Sequence, residues 1–139
     1  MFKNSGLVPR CQEDLWFMAE EQLSPQLQDQ ISRLQQTRAQ VQMLSQQRQQ
    51  VELQLREVEE ALKEVEGAGE KTPIYKSIGS ILVKTKGKDE VKKELDGTRE
   101  SLNLRKTTLE KQEGRSREKL TELQSKVEAS LKLAGQGGS

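Results

Sequence analysis

From Gln26 to Glu66 the chain passes without a glycine or a proline. Such an uninterrupted run of helix formers predicts one long α-helix, and the apolar spacing within it predicts what that helix packs against. Leu27, Leu34, Val41, Arg48, Leu55 and Leu62 fall seven apart, and Gln30, Thr37, Leu44, Val51, Val58 and Val65 form a second row. Two rows at this spacing make a coiled-coil seam. From Leu44 to Val65 the seam is nearly all apolar, with Arg48 interrupting it. From Leu27 to Thr37 polar residues intrude and Ile31 lies beside the row. Ser24-Pro25 marks the start, with serine as N-cap and proline at the first helical position. Gly67-Ala68-Gly69 marks the end.

A second long helix is expected from about 89 to 133. Asp89 is its expected N-cap, and Glu90 suits the positive helix start. Val91, Leu95, Thr98, Leu102, Arg105 and Leu109 continue the spacing, followed by Leu120, Leu123, Val127 and Leu131. Gly97 and Gly114 interrupt this helix, as flexible points or as tolerated substitutions. Two helices of similar length with a compact connection make an antiparallel coiled-coil hairpin, the fold being mainly α.

The connection is where the composition changes. Ile74-Tyr75-Lys76-Ser77-Ile78 and Ile81-Leu82-Val83-Lys84-Thr85 flank Gly79-Ser80. This is the pattern of a two-residue type II′ β-hairpin, over about 73–86. A lone hairpin is marginal in water and exposes two edges of unpaired backbone groups. It therefore needs partners, most simply hairpins of other chains.

Residues 1–17 read as foreign to the rest. They hold Phe2, Trp16, Phe17 and the single cysteine, Cys11. A start-site error, an expression scar and a genuine mobile arm compete as explanations. The main domain is expected over 18–134, and 135–139 as a flexible tail.

Hydrophobic and charged residues each make up 32% of the 139-residue chain, and aromatics only 3%. This suits helix seams rather than a thick core. The net charge of +1 leaves no basic excess for neutralising phosphates, which argues against nucleic-acid binding. The apolar runs are too short to span a bilayer, and residues 1–18 lack the sustained apolar run of a signal peptide. A cytoplasmic location is expected by default. The chain has no histidine, which removes His-based acid–base and metal chemistry. Gly67-Ala68-Gly69-Glu70-Lys71-Thr72 is not a phosphate loop, because Glu70 separates the glycine from the lysine and a helix precedes it. No catalytic residue, metal site or cofactor is expected.

Helix, single hairpin and helix, with Tyr75-Lys76-Ser77-Ile78-Gly79-Ser80-Ile81-Leu82-Val83 at the centre, closely resembles the prefoldin beta-subunit family from about Glu20 to Ala134. There is room for one hairpin between the helices, as in the beta type, and not for the two of the alpha type. The resemblance points to an archaeal source, with a eukaryotic beta-type relative left open. It implies a hexamer of two alpha-type and four beta-type subunits whose hairpins join into an inter-subunit β-barrel. It also implies ATP-independent capture of non-native protein clients at the coiled-coil tips and their transfer to a group II chaperonin. Ile74, Tyr75, Ile78, Gly79, Ile81, Leu82 and Val83 would then build the assembly platform. Folding of the hairpin back onto its own helices is the competing reading.

At the tip, Leu27, Ile31 and Leu34 of the first helix are expected to face Leu120, Leu123, Val127 and Leu131 of the second. A loose seam there would leave apolar groups open to a client; the competing reading is that they simply close the seam. The alternative to a holdase is a structural coiled-coil assembly subunit without client binding. Trp16 and Phe17 as an apolar client-binding arm is a further possibility.

Overall fold

A computed structural model describes residues 24–137, in the order α1 (Pro25–Gly67), β1 (Tyr75–Ile78), β2 (Ile81–Lys84) and α2 (Lys88–Gly137). The expectations for residues 1–17 lie outside the described residues. The chain divides into two compact units, one holding residues 24–40 and 117–137, the other Val41–Ser116.

Both starts of the long helices follow from local chemistry. Ser24 Oγ accepts a hydrogen bond from the Leu27 amide at 3.2 Å, and the Ser24 carbonyl accepts the first intrahelical bond, from Gln28, at 2.9 Å. Ser24 is thus the N-cap, with Pro25 where its missing N–H is harmless. At α2 the expected cap is corrected. The Gly87 carbonyl accepts from the Val91 amide at 3.1 Å, which makes Gly87 the N-cap. Its φ of 135° is open to glycine and strained for other residues. Asp89 and Glu90 occupy the first turn instead, where their charges face the positive helix end. The helix then runs past the expected boundary at 133, through Gly137.

In the unit of 24–40 and 117–137, Leu27, Ile31, Leu34 and Val127 form a buried cluster, with Leu120, Leu123 and Leu131 packed against it. Ile31 is fully buried. It takes the seam place assigned to Gln30 by the seven-residue count. Gln30 lies at the flank, where its Oε1 accepts from the Ser130 hydroxyl at 3.4 Å. Apolar burial outweighs strict periodicity here. The buried positions therefore step 31, 34, 37, 41, with two steps of three in succession. That departs locally from the regular heptad.

In the Val41–Ser116 unit, Leu44, Val51, Leu55 and Leu109 form the core, with Leu102 packed against them. Val41, Leu62 and Val65 are also buried. Two expected seam positions of α2 are corrected, since Thr98 and Arg105 are exposed and Lys106 is half-buried in their row. Thr98 returns its hydroxyl to the Glu94 carbonyl at 3.1 Å, one turn back. Glu113, a carboxylate, is buried.

β1 and β2 pair antiparallel, with Tyr75 opposite Lys84, Lys76 opposite Val83, Ser77 opposite Leu82 and Ile78 opposite Ile81. Gly79 has φ 61°, and no non-glycine residue among those described has positive φ. Positive φ at the first central residue alone is the type II′ pattern. Thr85 extends the hairpin by one rung: its amide and hydroxyl both bond the Ile74 carbonyl, at 2.9 and 2.8 Å. Lys88 ties the connection together, its Nζ donating to the Glu66 and Ala68 carbonyls at 3.1 Å each.

Candidate functional site

Two surfaces carry the expected functional residues. The first is the hairpin. Residues directly opposite in an antiparallel pair share a face. Tyr75, Ser77, Leu82 and Lys84 therefore lie on one side, and Lys76, Ile78, Ile81 and Val83 on the other. Every strand residue is exposed. Leu82 is 71% exposed on one face and Ile81 64% on the other. The two-stranded sheet leaves the outer edge of each strand unpaired. Lys76 Nζ bonds Glu94 of α2, so that one point of the second face is tied to a helix. Of the seven residues assigned to the platform, Ile74 is half-buried and six are exposed around the turn. Gly79 makes the turn, and a Cβ there would meet nothing within 4 Å. The glycine answers a backbone requirement rather than a steric one.

The second surface lies where α1 begins and α2 ends. All seven residues assigned to the tip come together in one cluster. Its members differ in access. Leu27, Ile31, Leu34 and Val127 are closed within the seam, while Leu120, Leu123 and Leu131 form a half-buried rim. Leu133, two residues on, is 70% exposed. Seam spacing missed it because it falls outside the row. Met43, Leu53 and Leu104 are exposed singly on helix surfaces.

One polar constellation interrupts the apolar seam. Arg48 Nε donates to Glu113 Oε1 at 2.6 Å, Nη2 reaches Oε2 at 3.4 Å, and Nη1 bonds Glu52 one turn on. The hydrogen bonds to Glu113, then to Glu52, raise the Arg48 pKa above its already high ordinary value. The guanidinium stays charged at any pH the folded protein meets. Sequence spacing marks Arg48 as an interruption, but nothing local identifies a partner sixty-five positions away.

Among the described residues, no group of three or more His, Cys, Asp or Glu side chains could hold a metal ion, and no helix is long and apolar enough to cross a membrane. A shallow depression beside Leu104 is lined by α2 residues alone, including Asp96, Arg99 and Glu100.

Comparison with known proteins agrees with this geometry. The family described as prefoldin subunit matches residues 28–133. The prefoldin subunit beta of Archaeoglobus fulgidus is 43% identical over 107 residues, covering 77% of this chain and 91% of that protein. The prefoldin subunit beta of Sulfurisphaera tokodaii is 50% identical over 56 residues, covering 40% of this chain and 44% of that protein. Among solved structures, the prefoldin beta subunit of Thermococcus strain KS-1 superposes with a TM-score of 0.70 at 37% identity, over 78% of this chain and 94% of that one. The beta2 subunit of the same strain gives 0.59 at 24% identity, over 66% and 97%, a likeness of fold alone. With more than half of its length matched by the family and a single hairpin between two long helices, the chain belongs to the prefoldin chaperone subunits, of the beta type.

Proposed function

We propose that this chain is the beta-type subunit of a cytoplasmic prefoldin hexamer with two alpha-type partners, holding non-native proteins without ATP and passing them to a group II chaperonin. The observation that carries the reading is the hairpin. It presents apolar side chains on both faces and two unpaired edges. Neighbouring hairpins would satisfy the edges by strand pairing, and closure into a barrel would remove edges altogether. One apolar face would turn inward.

Client binding falls to the helix ends. The accessible rim of Leu120, Leu123 and Leu131, with Leu133 beyond it, offers weak and releasable apolar contacts. Each full burial contributes about 1.5–3 kcal/mol, so partial contacts contribute less. Leu27, Ile31, Leu34 and Val127 would join only if the helix ends part. Their closure favours a second reading, a structural assembly subunit that binds no client.

Suppression of aggregation by the mixed assembly, without nucleotide, separates the two. Removing residues 1–34 and 120–139 should abolish protection while assembly persists. Undiminished protection by the truncated form would contradict client binding at the helix ends.

A further inference from the structure

Arg48 and Glu113 stand at one level of the Val41–Ser116 unit, with apolar layers next to them. Leu44 and Val51 flank Arg48 on α1, and Leu109 precedes Glu113 on α2. The Glu113 side chain is 8% exposed and that of Arg48 24%. Two guanidinium nitrogens fork onto the two oxygens of Glu113, and a third reaches Glu52. No buried side-chain polar atom among the described residues lacks a partner. A charged layer this well satisfied does not by itself argue for stability, because desolvation offsets much of the attraction. Its best-attested use is to fix register.

We infer that the Arg48–Glu113 pair is a register lock that selects one alignment of α1 on α2 and disfavours pairing of α1 with a second copy of itself. Within the Val41–Ser116 unit the seam repeats every seven residues, so a slip of one heptad there keeps apolar rows facing each other and is weakly opposed by packing. It is strongly opposed by this pair. In one direction the slip sets Arg48 against Lys106, a like charge on the same row; in the other it sets Arg48 against Leu120. Either way the two charges lose each other between apolar layers. Self-pairing of α1 meets the same obstacle. Among its seam residues from Leu27 to Val65, none is a carboxylate. Glu52 is already engaged from the neighbouring turn and travels with Arg48 in every alignment.

The test reads alignment rather than stability. In a Cys11→Ser background, spin labels at the exposed positions Gln46 and Glu100 report the axial offset of the helices. Labelled chain is diluted with unlabelled chain and measured by electron–electron double resonance. The starting protein should give a single distance. Arg48→Leu/Glu113→Leu should stay helical by circular dichroism and add populations displaced axially by about 10 Å, one heptad at 1.5 Å per residue. The swapped pair Arg48→Glu/Glu113→Arg, combined with Glu52→Gln so that no like charge stands one turn away, should restore the single distance. An unchanged single distance in the helical leucine variant overturns the lock. Should that variant lose its helicity, the swap decides: one distance supports the lock, and several in a helical protein overturn it.

Discussion

Lys88 Nζ lies 3.1 Å from the carbonyl oxygen of Glu66, bridging the first residue of α2 and the last turn of α1. It makes a second bond of equal length to Ala68. The last carbonyls of a helix have no intrahelical donor, and a cation there also meets the negative end of the helix dipole. Lys88→Ala should lower stability by about 1 kcal/mol, given the partial exposure of the site. Urea denaturation of the two proteins side by side checks this. Equal midpoints would show that water replaces the lysine without loss.

Gly79 tests the turn. Its φ of 61° is one that β-branched residues resist, while open space surrounds its missing Cβ. Gly79→Val should therefore act through backbone strain of roughly 1–2 kcal/mol and should impair assembly with an alpha-type subunit. Gly79→Asn should impair assembly less than valine, since asparagine has no β-branch and is among the residues found in primed turns. Normal mixed particles with valine would refute the turn's role.

The helix glycines behave differently. Gly97 and Gly114 lie within α2, and a Cβ at either would meet nothing within 4 Å. Replacing each with alanine should raise stability by about 1 kcal/mol through helix propensity, without altering assembly. A drop in melting temperature would indicate that one of them serves as a flexible point.

Ile31 and Leu131 separate structure from client contact. Ile31 has no exposed surface, so Ile31→Ala should lower stability by about 2–4 kcal/mol. Leu131→Ser, on the half-buried rim, should weaken aggregation suppression with a smaller change in melting temperature. Protection that tracks stability across both variants would favour the purely structural reading.

What could be read from the sequence divides along a physical line. The N-cap at Ser24, the end of α1 at Gly67 and the turn at Gly79 depend on neighbours within a few residues, and all are as expected. The cap at Gly87 was hidden because Asp89, a stronger capping type, stands two residues on. The seam errors have another cause. Gln30 or Ile31, and Arg105 or Lys106, are choices made by the facing helix. In the second case both candidates are long cations that hydropathy cannot separate. Glu113 reads as solvated surface until Arg48 is brought to it across the fold. The seven residues at the helix ends share one cluster, but how far it closes depends on how the two helices meet, which spacing does not encode.

Mass tests most directly whether the hairpin is an assembly element. Size-exclusion chromatography with light scattering would be run on the chain alone and mixed with an alpha-type prefoldin subunit. A mixed particle of about six chains is expected, in keeping with closure of the strand edges. Separate elution of the two proteins, each shown by circular dichroism to be folded, would contradict it.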